Sequence, residues 1–519
     1  MDFKSIMFLE TDLNMENQVK ETPDYFRDLN LEQIIDSITS GMEKYKLKPF
    51  FFTPLHSKDT INYRQEIMRD LEENEELLKT VETFSENVYE VSDDMKRIRE
   101  YLAKNEIYYN NYLQKGRLLD SAKTYCESIR TFAKDISSFS LKSRGLQAFR
   151  KYISDYIQSD AFISLAKETE AMKAELSKVK YCMLIKDNII KVQKYGKEID
   201  YTVEIEKIFQ KFKQGAVKDV RKNFTEDPHA EHVEAGVLNN VKKLYPKEFE
   251  NLDSLCERDK NFVDEKISVF SQEIQFYIAY IEYMQEFKKI GLNFCYPKMA
   301  KNSKEIHISD SYDLALAEKL LRQGETVVLN DFFLKGRERI IVVSGPNQGG
   351  KTTFARLFGQ IHHLANLGCP VPGSDAQLYI FDNIFTHFEK EEDIKNLSGK
   401  LQDDLIRMHE ILCKATPQSI IIINEFLSST ALKDAVTIGR EIMKELVNLD
   451  SLCVWVTFLD ELSAYNEKNV SMVSTVMPDD PSRRTYKIIR SPADGLAYAI
   501  HIADKYRLTY SHLKERVRQ

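Results

Sequence analysis

Apolar residues along this 519-residue chain follow two different patterns, and the change between them lies near Gly291. Before it, long stretches carry spaced apolar residues among charged ones and lack helix breakers. Ile61 to Lys104 contains neither Gly nor Pro, and the same holds from Leu255 to Lys289. In the latter, Ile267, Phe270, Ile274, Tyr277, Ile281 and Met284 recur at alternating spacings of three and four. That spacing lays a stripe along one helix face and predicts core packing against neighbouring helices. Tyr181 to Lys194 reads instead as two β-rich runs separated by Lys186-Asp-Asn188, a hairpin pattern. Gln214 to Glu234 is polar, with Gly215, Pro228 and Gly236 nearby, and predicts a loop or an excursion from the helical body.

After Gly291 strands and helices alternate. Arg339 to Ser344, Ser419 to Asn424 and Cys453 to Thr457 are continuous apolar runs that read as buried strands, and Leu378 to Phe381 is strand-like. Phe354 to Leu367, Leu401 to Lys414 and Asp434 to Asn448 read as helices between them. Apolar strands separated by helices predict a mostly parallel sheet covered on both faces.

Composition narrows the picture. Hydrophobic residues make up 43% and charged residues 30%, the balance of an ordinary globular chain, and the length suggests about three domains. Gly (18) and Pro (13) are too scarce for collagen-like or Pro/Gly-rich disorder. The net charge of −8 advertises no global affinity for nucleic acid, although a local basic stripe is what such binding requires. Lys142, Arg144, Arg150 and Lys151 are candidates for such a stripe, with solvated helix faces as the commoner explanation. The seven cysteines are scattered with no Cys-x-x-Cys pair, so they read as reduced thiols rather than zinc ligands or a disulfide framework. The acidic, weakly apolar start does not read as a signal peptide, and no apolar run is long enough for a membrane span. A cytoplasmic location is the expectation.

One motif carries chemistry. Gly345-Pro-Asn-Gln-Gly-Gly-Lys-Thr352 fits Gly-x-x-x-x-Gly-Lys-Thr, preceded by a predicted buried strand and followed by a predicted helix. Glycines let backbone N–H groups approach phosphate oxygens, and the following helix adds its positive end. Lys351 is suited to the β- and γ-phosphates, and the Thr352 hydroxyl to Mg²⁺. The apolar run ending in Asn424-Glu425 has the form of the neighbouring strand that such sites require. Asn424 can hydrogen-bond a metal-bound water without adding charge, and Glu425 can polarise an attacking water. Leu397-Ser398-Gly399-Lys400 is a third candidate: Ser398 is either an ordinary helix cap or a hydroxyl presented to the γ-phosphate of a nucleotide bound by another subunit.

With Thr353 added, the Pro346-Asn347-Gln348 and Gly349-Gly350 of this loop resemble the Walker A signature of MutS-family ATPases. Leu364 to Pro372, Phe381 to Thr386, Ile411 to Thr416 and Ile422 to Glu425 look like the stretches that follow in that family. Pro54 to Asp59 and Tyr63-Arg-Gln65 look like the start of its helical core. The resemblance implies a multidomain chain: an N-terminal segment over 1–30, a long α-helical lever over 31–290 with a small β clamp at about 181–250, and an α/β P-loop ATPase domain with a mostly parallel sheet over 291–519. It implies ATP and Mg²⁺ as cofactors, a homodimer formed through the ATPase domain, and DNA as the partner of the clamp. Gly345 to Thr353 and Ser398 would bind nucleotide, Thr352 and Asn424 would serve the metal, and Glu425 would be catalytic.

The departures qualify the expected activity. About thirty residues precede the lever, too few for the family's mismatch-reading domain, and none extend into an Smr domain. Asn424 stands where an Asp is usual, Thr457-Phe458 stands where relatives carry Thr-His, and the signature helix is reduced to Ser398 to Leu401 and Asp403. The expectation is therefore slow ATP hydrolysis coupled to a DNA clamp without mismatch reading. The alternative is a nucleotide-gated scaffold that binds ATP with little turnover and engages a protein. A small-molecule kinase leaves the helical arm unexplained.

Overall fold

The computed structural model describes residues 3–9, 21–103, 111–187, 189–196, 228–389, 400–427, 430–493 and 507–518. Asn188, Ser398 and residues 214–227 of the polar excursion lie outside them. In chain order the helices begin with α1 (Tyr25–Asp28), α2 (Leu31–Ile38), α3 (Lys48–Phe52), α4 (Lys58–Glu73), α5 (Glu75–Ala103), α6 (Asn111–Ser138), α7 (Arg144–Ile157) and α8 (Asp160–Leu176). The hairpin strands β1 (Tyr181–Lys186) and β2 (Ile189–Lys194) follow, then α9 (Pro228–Leu244), α10 (Pro246–Arg258) and α11 (Glu265–Lys288). The chain divides into two compact units: Met1–Phe3, Glu75–Leu141 and Leu146–Ile274 form one, and Lys4–Asn74, Lys142–Gly145 and Gln275–Gln519 the other. Each unit draws on separated stretches, so compactness cuts across the change of character at Gly291.

The two Gly/Pro-free runs are each broken once. Asn74 adopts an extended conformation (φ −136°, ψ 96°) between α4 and α5. Four glutamates (72, 73, 75 and 76) flank it, and their repulsion opposes one continuous helix. In the second run Asp264 ends the break after α10, its carboxylate accepting from Ile267 N at 3.0 Å to cap α11. The stripe from Ile267 to Met284 is buried along its whole length. In the first unit the helices close on an aromatic cluster in which Phe84 stacks on Phe132 at 3.9 Å, with Phe149 and Phe270 beside them. Residues 228–234, expected within a loop or excursion, are helical: Pro228 opens α9, where its missing N–H costs nothing.

Among the described residues, the second unit contains three sheets. β3 (Phe294–Cys295) and β8 (Val371–Pro372) form a short pair. β4 (Lys298–Ala300), β5 (Ile306–Ser311), β6 (Asn330–Leu334) and β9 (Asp375–Tyr379) form a four-stranded sheet in the order β4-β9-β5-β6, with helix α12 (Leu314–Gln323) between β5 and β6. The strand-like Leu378 run therefore belongs to this sheet, as β9.

The largest sheet has six strands in the order β10-β11-β12-β7-β13-β14. They are β7 (Ile340–Ser344), β10 (Ile384–Phe388), β11 (Ile420–Asn424), β12 (Leu452–Val456), β13 (Asn469–Met477) and β14 (Asp480–Arg490), interleaved with helices α13 (Lys351–Asn366), α14 (Lys400–Lys414) and α15 (Leu432–Leu449), and followed by α16 (Tyr510–Arg518). All pairings are parallel except β13 with β14. Every residue of β7, β11 and β12 is buried because the two faces are both covered. Ile340, Val342, Ile421, Ile423, Cys453 and Trp455 share a core with α14 and α15. On the other face α13 approaches so closely that a Cβ at Gly359 would lie 2.8 Å from Ile422 and 2.5 Å from Leu29.

The residues at the start of the expected helical core act as pins within this unit. Tyr63 Oη donates to Ser5 O at 2.8 Å, and buried Arg64 donates to Met7 O at 2.9 Å and Leu367 O at 3.0 Å. The candidate basic stripe is largely engaged: Lys142 pairs with Glu73, Arg144 with Glu66, and Arg150 donates to Phe139 O. Among the described residues, no helix is long and apolar enough to cross a membrane.

Candidate functional site

Parallel register brings the ends of β7, β11 and β12 to one edge of the sheet. Asn424 is opposite Val456, Val456 is opposite Val343, and the chain leaves β7 at Ser344 directly into the Gly345–Gly350 loop. Ligands of open α/β sheets gather at such carboxyl ends.

The loop is shaped by backbone freedom and by β13 behind it. Gly345 has φ +110° and Gly350 φ +92°, both in the left-handed region open to glycine. A Cβ at Gly345 would lie 2.9 Å from Ser474 O, and one at Gly349 would lie 2.2 Å from Ser474 Oγ. Ser474 Oγ donates to Gly349 O at 2.6 Å, fastening the loop to β13. Gly350 is also the N-cap of the 16-residue α13, whose first turn has no side-chain cap. Its N–H groups and dipole are thus available to an anion.

Lys351 is buried, and its Nζ donates to Gly345 O at 2.9 Å, Pro346 O at 3.0 Å and Asn347 Oδ1 at 3.3 Å. Burial lowers its pKa from the usual lysine value, Glu425 opposes that shift and Arg484 adds to it. A polyanion beside it would favour the charged form. Thr352 Oγ1 donates to Asn424 Oδ1 at 2.9 Å, so the two residues read from sequence as metal-serving do meet. Their oxygens suit a hard cation such as Mg²⁺, although Asn424 brings no negative charge. Glu425 follows at φ +55°, its N–H donating to Val456 O at 3.0 Å.

A cavity of about 460 Å³ opens beside these groups. Its wall carries Gln348, Gly350, Lys351, Thr352, Thr353 and Glu425 together with the apolar Leu316, Leu320, Val327, Val328 and Leu357, and Tyr486 lies against Gly350. A wall that combines loop N–H groups and Lys351 with aliphatic side chains suits a ligand with phosphates attached to a flat base. Gln348, Glu425 and Tyr486, all on its wall, are non-glycine residues at positive φ (+59°, +55° and +59°). Strained backbone of this kind gathers at functional sites. Asp313 also lines the cavity; desolvation raises its pKa to about 6 against hydrogen bonds from Leu316 N and Gln360 Nε2.

The sequence motif thus comes together from Gly345 to Thr353 with Asn424 and Glu425. Ser398 lies outside the described residues. Phe458 is 47% exposed, while Thr457 Oγ1 accepts from Leu459 N. Sequence reasoning missed Ser474, Tyr486, Asn330 and the apolar wall. Asn330 accepts from Ile488 N and donates to Tyr486 O, holding β14 at the cavity. No local pattern signals these residues, because sheet pairing across more than a hundred positions brings them in.

The fold and site define an α/β protein with a P-loop-type strand–loop–helix at the carboxyl edge of a mostly parallel sheet. Residues 341–514 match the family model of MutS domain V. The chain is 24% identical to the DNA mismatch repair protein MutS of Petrotoga mobilis over 96% of its own length and 63% of that relative. It is 22% identical to the protein of the same name from Bacillus cytotoxicus, over 91% of this chain and 54% of the other. A Thermotoga relative so named is 32% identical over 190 residues, 35% of this chain and 23% of that protein. Residues 341–514 are thus similar to MutS domain V, and the whole chain, which spans 63% and 54% of the length of the first two relatives, is similar to MutS proteins at low identity.

Proposed function

We propose that this protein is an ATPase that binds ATP with Mg²⁺ in the cavity beside Gly345–Thr353, hydrolyses it slowly, and couples nucleotide state to a DNA-binding clamp in a homodimer. The observation that carries the reading is the convergence of Lys351, the uncapped start of α13 and Glu425 on one cavity whose wall also carries Leu316, Leu320, Val327 and Val328. Loop N–H groups and Lys351 would hold the phosphates, with Thr352 as metal ligand and Asn424 behind it. Mg²⁺ would supply charge neutralisation between the phosphates. Glu425, which follows Asn424 at the end of β11 and lines the cavity with Lys351 and Thr352, would orient and polarise the attacking water. The neutral Asn424 weakens the hold on the metal relative to an aspartate, which fits slow turnover.

The domain reading goes with this function: an N-terminal segment, a helical lever with the β1–β2 hairpin in its clamp, and an ATPase domain from about residue 291. Ser398 would address a nucleotide across the dimer. DNA is proposed as partner because the matched relatives are named for DNA mismatch repair; mismatch reading is not part of the proposal. Asn424 and the exposed Phe458 favour one second reading, a nucleotide-gated scaffold with little turnover.

The test is ATP turnover by the full chain with Mg²⁺, alone and with homoduplex, mismatched, branched and single-stranded DNA, at two salt concentrations. The ATPase reading expects turnover altered by DNA and DNA affinity that falls with salt. ATP binding without turnover under every condition supports the scaffold instead.

A further inference from the structure

The β1–β2 hairpin exposes apolar residues that a solvated ribbon would ordinarily not carry. Ile185 and Ile189, on either side of the turn, are each 72% exposed, and Met183, Leu184 and Ile190 are exposed with them. The register pairs Ile185 with Ile190, Leu184 with Lys191, and Lys186 with Ile189. Opposed residues share a face, and faces alternate along a strand. One face at the tip is therefore wholly aliphatic, while the other interleaves Leu184 and Ile189 with Lys186 and Lys191.

The base of the hairpin is fixed. Val192 packs beside Val237, Val241 and Phe249 with Tyr245. Tyr245 Oη donates to Lys180 O at 2.5 Å, and Lys194 Nζ sits 4.9 Å over the Tyr245 ring. The anchored root presents the tip at a defined angle. From Lys178 to Lys194 there are five lysines and one acid, Asp187, in a chain whose net charge is −8. Such charge would oppose tip-to-tip contact between two copies and favours a polyanion. Lysines on exposed strands also discourage edge-to-edge pairing, but that role leaves the isoleucines at the tip unexplained.

We infer that the tip of this hairpin is a wedge for duplex nucleic acid: Lys186 and Lys191 meet backbone phosphates while Ile189, on the face they share, enters between base steps. A two-stranded ribbon fits a groove of the duplex, and apolar side chains inserted between bases unstack them and kink the helix. The inference rests on the DNA-clamp reading above and adds the mode of contact.

The experiment measures binding of the full-length protein to a duplex carrying 2-aminopurine, by anisotropy and by the fluorescence of the unstacked base, across a salt series. Ile189→Ser should lower affinity roughly tenfold, abolish the 2-aminopurine increase and keep the salt slope. Lys186→Gln/Lys191→Gln should reduce the slope by about two, since each neutralised phosphate contributes about 0.9. All three residues are exposed, so thermal melts should match wild type. If wild type binds with salt dependence and the isoleucine variant retains both affinity and the fluorescence increase, the wedge is overturned while the clamp reading stands. If wild type binds no duplex at all, both fall. Loss of binding to phosphatidylserine vesicles, or of dimers in sedimentation, in the isoleucine variant with duplex binding unchanged assigns the tip to a membrane or to self-contact and overturns the wedge.

Discussion

At the six-stranded sheet, Ile420 to Ile423 and Leu452 to Val456 are buried on both faces, and the polar groups that matter sit where the strands stop. In the β1–β2 ribbon the same residue types, isoleucine above all, stand in solvent, and the polar groups lie between them. In the sheet, burial contributes about 1.5–3 kcal/mol per large aliphatic side chain and fixes the positions of Gly345, Asn424 and Glu425 by register. The ribbon's tip gains no such stabilisation from its own fold. Burial makes the first region a rigid frame for a small ligand, whereas exposure leaves the second suited to a large partner that supplies the missing contacts.

Substitutions at the sheet edge should separate its roles. Glu425→Gln should lower ATP turnover by about 10²–10⁴-fold and leave ATP affinity unchanged, as read by steady-state hydrolysis and nucleotide titration. Equal loss of binding and turnover would mean that Glu425 holds the loop rather than acting on water. Lys351→Ala should weaken ATP binding about 100-fold, the loss of a charged hydrogen-bonding group worth about 2–3 kcal/mol. Gly345→Ala forces a side chain onto Ser474 O at positive φ; it should weaken ATP binding about tenfold and destabilise the unit by about 1–3 kcal/mol in urea melts. If it behaves as wild type, the loop is not held against β13.

The smallest effect concerns the frame alone. Asp450 ends α15 in the left-handed region and pairs with Lys304, Arg339 and Lys468. Burial would raise its pKa, but hydrogen bonds from Lys468, Lys304 and Arg339 outweigh that and hold it at about 2. Its unfolded value is near 3.9, so its contribution is fully present above about pH 4 and disappears as pH falls through about 2. The carboxylate is partly solvated, and Asp450→Asn should cost no more than about 1 kcal/mol at pH 7. The gap between the two melts should narrow from pH 5 to pH 3 while ATP affinity is unaffected.

What the sequence makes legible follows from how local the cause is. The Gly345–Thr352 loop, the apolar strands and the hairpin depend on neighbouring residues, and their periodicity or glycine pattern is plain. Asp264 and Asn74 were legible in principle, as a cap and as a break within a run of glutamates, but the absence of Gly and Pro pointed to unbroken helix. Ser474 reaches the glycine loop, and Asn330 and Tyr486 the cavity, only through long-range pairing of β6, β13 and β14, which no local pattern encodes. The pairing of Lys142 with Glu73 and Arg144 with Glu66 is likewise tertiary, and it engages half of the candidate basic stripe.

The most direct measurement is calorimetric titration of the full-length protein with ATP and Mg²⁺, beside Lys351→Ala and Glu425→Gln, with turnover followed in the same samples. The prediction is saturable binding by wild type and Glu425→Gln, weak binding by Lys351→Ala, and slow hydrolysis by wild type alone. Absence of ATP binding in a folded wild-type protein, or binding that Lys351→Ala leaves intact, would contradict the assignment of this cavity to ATP.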